Sequence, residues 1–360
     1  MPTISITNAD VFDGLHVKNV PNQCFQGSPG NILAPQSNSD VHVDGTGCTL
    51  MPGLIDAKVD ANSSPGALYT CAAFGITTVI DSSSTNAECQ AMHLAVSENP
   101  TLPSYFATGS AIGPENASSL SIFSYRAVRV ATTPAEARQV VAENVSASSG
   151  GNLVKIIVDQ PGLDFQTIAA AVAAAHEHGS LAVGQASQCD AYKLALDAGF
   201  DVVTAVPVDG TLDAEVVRGF AQKGIGVVPT LCYLRKAVDK ADNADYDFAH
   251  AMAAVKQLHE AGVRICAGTS ANQEDSMTVS FGQSLHEELK LLAEAGLTNM
   301  EVMRAATCVP SALFRLPDRG AIEVGYRADL LLVSGNPLEN LALGSQIRRV
   351  WIAGVEIDIR

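Results

Sequence analysis

The residues of this 360-residue chain that are best suited to chemistry are two lysines and an aspartate, Lys58, Asp60 and Lys155. Lys58 and Asp60 are two positions apart in a run typical of a β-strand, so their side chains are expected on the same face. An ammonium group can stabilise a developing enolate, phenolate or carboxylate oxygen. A neighbouring carboxylate can accept and return a proton. This set therefore indicates acid–base chemistry on a carbonyl or phenolic compound.

The elements that must position these residues alternate along the middle of the chain. Between residues 51 and 319, β-rich runs alternate with Ala-rich helical stretches, such as 165–178 and 249–261. This alternation is typical of βα units that build a parallel sheet. A chain of this length can accommodate a (β/α)₈ barrel of roughly 250 residues plus a small second domain.

The two ends of the chain have a different pattern. Residues 1–50 contain short β-like pieces at 3–11 and 41–43, separated at 19–40 by a stretch rich in Asn, Gly, Pro and Ser that predicts a loop. Residues 320–360 carry similar β patterning. Neither end is expected to fold alone.

Short motifs along the chain resemble those of the amidohydrolase superfamily, in particular its imidazolonepropionase and prolidase-like branch. The sequence reads MPGLID at 51–56, GYRADL at 325–330 and GNP at 335–337. Further matching segments lie in the family's order at 75–79, 154–156, 198–201, 287–289, 295–298 and 304–307. The resemblance implies an α/β fold with a (β/α)₈ TIM-like barrel of residues 51–319. It also implies a small β-sandwich formed by residues 1–50 and 320–360.

The resemblance also implies where the site lies, and the chain departs from the family there. Family members hold one or two metals with His-x-His on strand one, a Lys on strand four, a His on each of strands five and six, and an Asp on strand eight. Here Lys58 and Asp60 take the two His positions, and Lys155 keeps the lysine. The other three positions map to Gly184, Ala205 and Ser270. A binuclear or zinc site needs several converging imidazole or carboxylate ligands. The sequence therefore predicts neither a metal nor another cofactor, and makes Lys58, Asp60 and Lys155 the catalytic residues.

Polar and aromatic residues near the predicted strand ends are candidates for substrate binding. The polar candidates are Asp81, Gln185, Thr204 and Ser270. Further candidates are Tyr125 and Arg126, in the long loop after strand three, and Tyr233, in the stretch after strand seven. Each could instead have a structural role; Asp81, for example, could cap the following helix. Together they favour a moderately apolar organic substrate, and no glycine-rich phosphate loop appears.

Composition excludes several classes of partner. The net charge of −16 argues against nucleic acid or an anionic membrane surface. No apolar run approaches the ~20 residues of a spanning helix, and no signal-peptide pattern opens the chain. The eight cysteines form no C-x-x-C pair. We therefore expect a cytoplasmic protein with a small-molecule substrate, and a homo-oligomer stays open.

Isomerisation or cyclisation without a metal fits these groups best, for example the intramolecular addition of a hydroxyl to a conjugated enone. Three alternatives stay open: a lyase, decarboxylase or Schiff-base enzyme; a residual metallohydrolase using Asp60, Asp81 and a modified Lys155; and a non-catalytic binding protein on a degenerate fold. In the last case the charges would merely neutralise a vacated site. Apolar side chains could fill such a site at equal or better stability, so retained charge favours function.

Overall fold

The computed structural model of this chain describes residues 2–19, 22–27, 30–36, 38–62, 64–115, 117, 122–123, 127–145, 153–274 and 277–359. Its strands are β1 (Thr3–Thr7), β2 (Asp10–Phe12), β3 (Val17–Asn19), β4 (Asn22–Gln26), β5 (Ile32–Leu33), β6 (Val41–Asp44), β7 (Cys48–Pro52), β8 (Leu54–Val59), β9 (Ile76–Asp81), β10 (Ser104–Ala107), β11 (Ala111–Gly113), β12 (Val128–Val130), β13 (Leu153–Ile157), β14 (Leu181–Gln185), β15 (Val202–Thr204), β16 (Gly226–Val228), β17 (Leu330–Ser334), β18 (Ile347–Ile352) and β19 (Val355–Ile357).

The helices are α1 (Pro65–Ala73), α2 (Asn86–Glu98), α3 (Pro134–Asn144), α4 (Phe165–Glu177), α5 (Cys189–Ala198), α6 (Ala214–Lys223), α7 (Leu231–Lys240), α8 (Phe248–Glu260), α9 (Gln283–Glu294), α10 (Asn299–Ala305), α11 (Cys308–Leu313) and α12 (Leu343–Gln346). The helical stretches expected at 165–178 and 249–261 correspond to α4 and α8. Within the described ranges, no helix has the length and apolar character needed to cross a membrane.

Parallel strands form the barrel. β8, β9 and β10 pair in parallel, as do β11, β13, β14, β15 and β16. Residues 104–113 join the two sheets, since β10 pairs with β9 and β11 pairs with β13. Residues 265–271 take the place of the eighth strand: the Cys266 N–H bonds to the Val227 carbonyl on one side, and the Ala57 N–H bonds to the Ala267 carbonyl on the other. The predicted (β/α)₈ barrel is therefore confirmed.

Apolar side chains fill the barrel interior at one of its two ends. Its inward-facing apolar residues form a cluster that includes Leu153, Leu181, Val202 and Val228, and residues after α11, among them Phe314, complete it. Alternation along β13 and β14 then places Lys155 and Gln185 on the same inward face, nearer the C-terminal strand ends. The polar end of the barrel is thus the end at which barrel enzymes carry their sites.

The two chain ends form a β-sandwich beside the barrel. One sheet has the order β5-β4-β1-β6, and the other has the order β19-β18-β17-β7-β2-β3. The second sheet mixes both ends of the chain, since β17 pairs antiparallel with β7. Phe25 packs edge-on against Trp351 with ring centroids 5.5 Å apart, and both side chains are fully buried. The boundaries at residues 50 and 320 stay a prediction.

The loop expectation at 19–40 was wrong in part. This stretch contains β4 and β5, of which β4 pairs with β1 along five residues. Its polar composition is compatible with a strand because Cys24 and Phe25 supply the buried contacts while the flanking Asn22 and Gln26 are half-buried. The barrel helices are easier to predict: in α4, the buried Ile168, Ala171, Val172 and Ala175 follow helical spacing.

Candidate functional site

Lys58 lies where the first and the eighth barrel strands meet. The pairing of β8 with β9 shifts register between Asp56 and Val59, an irregularity of the kind that re-aims side chains at barrel rims. The Lys58 carbonyl accepts hydrogen bonds from the N–H groups of Thr269 and Ser270, at 3.2 and 2.8 Å. Its ammonium group, on a residue only 1% exposed, donates to the Ser270 hydroxyl. Lys58 and Ser270 are thus joined by a backbone hydrogen bond and by a side-chain hydrogen bond.

Asp60 forms the acidic part of the site. Its Oδ1 lies 3.9 Å from the Lys58 Nζ, and its side chain is 13% exposed, against 1% for that of Lys58. Within the described part of the chain, this buried Oδ1 has no hydrogen-bond partner. Buried polar atoms are normally satisfied, so an orphaned carboxylate oxygen needs an explanation such as a ligand or a catalytic role. Asp60 is therefore placed to accept a proton.

Lys155 is the second buried amine at this mouth. It is 1% exposed, and its Nζ donates to the Ser82 carbonyl at 3.0 Å and lies 3.5 Å from the Ser82 hydroxyl. Burial lowers the pKa of Lys155 to about 7, helped by the positive charge of Lys58 and opposed by Asp60, Asp81 and Asp159. Desolvation disfavours the charged form of an amine, and a like charge adds to the effect. Lys155 is therefore poised to exchange a proton near neutrality.

Asp81 and Asp159 are held by neighbouring donors. Asp81 is fully buried and accepts hydrogen bonds from the N–H groups of Ala61 and Ser83, and from the hydroxyls of Ser84 and Tyr105. Burial raises the pKa of Asp81, against these hydrogen bonds. Asp159 accepts from both the backbone and the hydroxyl of Ser187. The cap of α2 is Thr85, so Asp81 ties the strand ends together instead of capping that helix.

The ends of strands five and six bring Gln185 and Thr204 together. The Thr204 hydroxyl donates to the side-chain Oε1 of Gln185 at 2.9 Å, and the side-chain Nε2 of Gln185 donates to the Thr204 backbone carbonyl at 3.3 Å. Gly184 faces outward, since a Cβ built there would meet the Phe200 ring at 3.2 Å. Mapping the fifth-strand ligand position to Gly184 was therefore wrong by one residue, and Gln185 is the side chain that faces the barrel interior.

Three strand ends adopt a left-handed backbone without glycine. Ala205, Thr230 and Ser270 have φ values of 67°, 55° and 56°. Such conformations are unfavourable for residues with a Cβ, above all for a β-branched one, and they cluster at functional sites. Ala205 directly follows Thr204, Thr230 is two residues after the inward-facing Val228, and Ser270 contacts the Lys58 ammonium. This strain supports a functional role for the mouth.

Sequence reasoning missed Thr230 and Ser82. Thr230 is fully buried, and within the described residues its hydroxyl has no hydrogen-bond partner. The neighbouring helix α7 does not use it, because the first N–H groups of α7 donate to Glu288 instead. The only signal in the sequence that could have identified Thr230 was its position, two residues after Val228, whose side chain faces the barrel interior. Ser82 acts on Lys155 mainly through its carbonyl, which no side-chain pattern reveals.

An aromatic pair covers one side of Lys58. The rings of Phe123 and Tyr233 stack with centroids 4.6 Å apart and planes 6° from parallel. The Lys58 Nζ lies 5.2 Å from the centroid of the Phe123 ring, within the range of a cation–π contact. Both aromatic residues are buried. Tyr125 and Arg126 lie outside the described residues, so their predicted roles stay predictions.

The donors at this mouth do not fit the metals that the resemblance implies. Lys58 and Ser270, which stand at two of the ligand positions, hydrogen-bond to each other, and a buried ammonium lies beside the Asp60 carboxylate. Across the ranges that the structure describes, no group of three His, Cys, Asp or Glu side chains could hold a metal ion. The arrangement offers proton transfer and positive charge instead.

Comparisons with known proteins agree with the fold. A 5'-deoxyadenosine deaminase of Methanopyrus kandleri is 29% identical over 122 residues, which are 29% of this chain and 28% of that protein. An imidazolonepropionase of Deinococcus deserti is 34% identical over 105 residues, which are 28% of this chain and 26% of that protein. The chain thus matches under a third of the length of these curated relatives.

Solved structures match over almost the whole chain. A Xaa-Pro dipeptidase with bound methionine superposes with a TM-score of 0.83 at 20% identity, covering 99% of this chain and 100% of that one. An ochratoxinase of A. niger gives 0.79 at 17% identity, covering 98% and 95%. Similarity at these identities establishes the fold. The profile of the Amidohydrolase family matches residues 49–357. By this match and by its barrel, the chain belongs to the Amidohydrolase family.

Proposed function

We propose that this protein is a metal-independent isomerase or cyclase that acts on a small phenolic or carbonyl metabolite. The observation that carries the proposal is the Lys58–Asp60 pair at the barrel mouth, with its 3.9 Å separation and its orphaned carboxylate oxygen. Lys155 adds a second amine from strand four. Positive charge and a proton acceptor, brought together in a buried site, suit reactions that pass through an enolate.

For the addition of a hydroxyl to a conjugated enone, each group has a defined task. The Lys58 ammonium, with Lys155 when that amine is protonated, donates to the carbonyl oxygen and stabilises the negative charge that develops there. Asp60 takes the proton of the attacking hydroxyl as its oxygen bonds to the β-carbon. The same proton returns to the α-carbon, so the product is an isomer of the substrate. Phe123 and Tyr233 supply an apolar wall beside the ammonium.

Substitution of the three polar residues tests this proposal. With ortho-hydroxychalcones as probes of this ring closure, we expect Lys58→Ala, Lys155→Ala and Asp60→Asn each to lower the rate by roughly 10²–10⁴-fold, the usual contribution of acid–base catalysis. Lys193→Ala is the matched control, because that side chain is 66% exposed on a helix. Ring closure is followed by the loss of enone absorbance. Folded variants of Lys58 and Asp60 that keep the full rate would contradict the proposal.

The alternative is a metal-dependent hydrolase. A deaminase, an imidazolonepropionase and a Xaa-Pro dipeptidase among the similar proteins favour hydrolysis. Elemental mass spectrometry of protein purified without chelator separates the two. Substoichiometric metal together with chelator-resistant turnover supports the acid–base proposal. One or more metal equivalents per chain, with turnover lost on chelation, supports hydrolysis.

A further inference from the structure

Thr230 combines two features that each raise the free energy of the folded state. Its backbone is left-handed, with a φ of 55°, which is unfavourable for a β-branched residue. Its side chain is fully buried, and in the ranges that the structure describes its hydroxyl has no hydrogen-bond partner. A buried hydroxyl without a partner is uncommon in native proteins and requires an explanation.

Helix α7 begins directly after Thr230, but it does not use this hydroxyl. A threonine that caps a helix normally has an extended backbone, and its hydroxyl accepts from an N–H of the first turn. Here the carboxylate of Glu288 accepts from the N–H groups of Leu231 and Cys232, at 2.9 and 2.7 Å. Thr230 makes no side-chain cap, and Glu288 is fully buried. The Thr230 hydroxyl is therefore not needed to cap the helix.

The position of Thr230 places it at the mouth of the barrel. Strand β16 ends at Val228, whose side chain belongs to the inward-facing cluster, so alternation directs Thr230 inward as well. The Thr230 carbonyl accepts from the Tyr233 N–H at 3.1 Å, and the Tyr233 ring stacks on Phe123. The Phe123 ring in turn lies 5.2 Å from the Lys58 Nζ. The aromatic pair thus connects Lys58 at one end with Thr230 at the other.

The barrel order sets the separation between these two ends. The eighth strand lies directly between β16 and β8, because it bonds to Val227 on one side and to Ala57 on the other. Two strand spacings correspond to roughly 10 Å along the rim. A ligand that reaches both Lys58 and Thr230 must therefore span the aromatic pair.

We propose that Thr230 is a specificity-determining residue whose hydroxyl bonds a second polar group of the substrate, across the aromatic pair from the group that reacts. This inference deepens the proposed function and rests on it for the position of the reacting carbonyl, beside Lys58 and Asp60. The substrate class that follows is a flat, largely apolar molecule with a polar group at each end. A hydroxyl both donates and accepts, so Thr230 suits a second hydroxyl or a second carbonyl.

Binding of non-reactive analogues tests the assignment without turnover. Dihydrochalcones with an ortho-hydroxyl on the first ring lack the conjugated double bond, so they cannot undergo the ring closure. The probes are three such compounds, with no hydroxyl, a meta hydroxyl or a para hydroxyl on the second ring, titrated by calorimetry. In wild type, we expect an added hydroxyl to tighten binding by roughly three- to tenfold, the usual contribution of one hydrogen bond. The gain should disappear in Thr230→Val and persist in Thr230→Ser.

Unfolding midpoints in urea separate recognition from a structural role. Valine keeps the shape and the β-branch of threonine, so Thr230→Val retains the backbone strain and removes only the hydroxyl. Its midpoint should be at least that of wild type, because a buried polar group without a partner is destabilising. Thr49 is the matched control, since it is also buried but its hydroxyl donates to the Gly335 carbonyl at 2.7 Å. Thr49→Val should lower the midpoint and leave all three affinities unchanged.

Three outcomes overturn the inference. Either no hydroxylated probe binds wild type more tightly than the parent, or the gain is the same in Thr230→Val, or the midpoint of Thr230→Val falls as far as that of Thr49→Val. Failure of the proposed function looks different. If the gain depends on Thr230 while ortho-hydroxychalcones are not cyclised, the recognition stands and the isomerase chemistry fails. If they are cyclised but no gain depends on Thr230, the chemistry stands and the assignment of Thr230 fails.

Discussion

Lys58 and Lys155 are both buried lysines, but their neighbours differ. Lys58 contacts Ser270 and Asp60, whereas Lys155 donates to the Ser82 carbonyl. The sequence predicted that both reach one mouth, because strand parity orients Lys58 with Asp60 and the family motifs place Lys155 on the fourth strand. It could not predict the lowered pKa of Lys155, since that depends on burial and on the nearby charge of Lys58. Thr230 was missed for a similar reason: its strained backbone and orphaned hydroxyl have no sequence signature.

The pKa of Lys155 has a consequence for stability. In the folded protein this pKa is about 7, below that of an unfolded lysine, so between pH ~7 and pH ~10 the unfolded state binds more protons. The free energy of unfolding therefore rises with pH across this window, by at most about 1.4 kcal/mol per pH unit from this group. Lys155→Met should lack this rise. The groups that face Lys155 are Lys58, Asp60, Asp81 and Asp159.

Urea unfolding of wild type and Lys155→Met at several pH values measures the effect. Above neutral pH, the free energy of unfolding of the wild type should rise steadily relative to that of Lys155→Met. A constant difference between the two proteins across the window would mean that Lys155 keeps its proton when folded, against the lowered pKa. Asp56 acts in the opposite sense: burial raises its pKa to about 7, so its contribution falls as pH rises from about 4 to 7.

At the scale of elements, the register between β8 and residues 265–271 positions the site. The barrel strands and helices were predictable because their alternation is strong, whereas β4 and β5 were not, because their polar residues are typical of a loop. The sequence mapped the ligand position of strand five to Gly184 instead of Gln185, and this error also depends on the geometry of the strand. In a strand, a shift of one residue moves a side chain to the other face, so a motif match without the sheet register cannot choose between Gly184 and Gln185.

Gly268 tests that register. A Cβ at Gly268 would lie 2.8 Å from the Lys58 backbone nitrogen and 2.4 Å from a Val228 methyl carbon. Gly268→Ala should therefore push the eighth strand away from β8, lowering the free energy of unfolding by about 1–3 kcal/mol and reducing turnover. Equilibrium unfolding in urea measures the change.

Gly66 provides the control for that substitution. In helix α1, a Cβ at Gly66 would meet only the Ser64 hydroxyl, at 3.7 Å. Gly66→Ala should stabilise the protein by about 0.5–1 kcal/mol, because alanine loses less backbone freedom in a helix. Equal effects of the two substitutions would show that the close approach of strand eight to β8 is absent.

At the scale of the whole molecule, the chain folds back so that its two ends share one sheet. The family motifs predicted this sandwich, and composition alone could not, since β17 and β7 are separated by the entire barrel. Phe25 and Trp351 pack across it. We expect Phe25→Leu and Trp351→Phe to be non-additive, with a coupling of about 0.5–1.5 kcal/mol in a double-mutant cycle.

A second cycle controls for general destabilisation. Phe220 packs against Tyr192 in a core cluster that does not include Phe25, so Phe220→Leu combined with Phe25→Leu should be additive to within about 0.5 kcal/mol. Chemical denaturation provides all the free energies. Additivity in both cycles would contradict the packing of the two ends against each other.

The contact between Lys58 and Ser270 joins residues 212 positions apart, and this separation affects how the protein is made. On the ribosome, the segment that carries Lys58 emerges long before the segment that carries Ser270, so the lysine spends most of synthesis exposed to water. Its contact with Ser270 forms only when the last barrel strand docks. Contacts this distant in sequence form late in folding. After dilution from denaturant, catalytic activity should therefore return more slowly than helical structure. The chain is expected to be inactive until the eighth strand has closed the barrel.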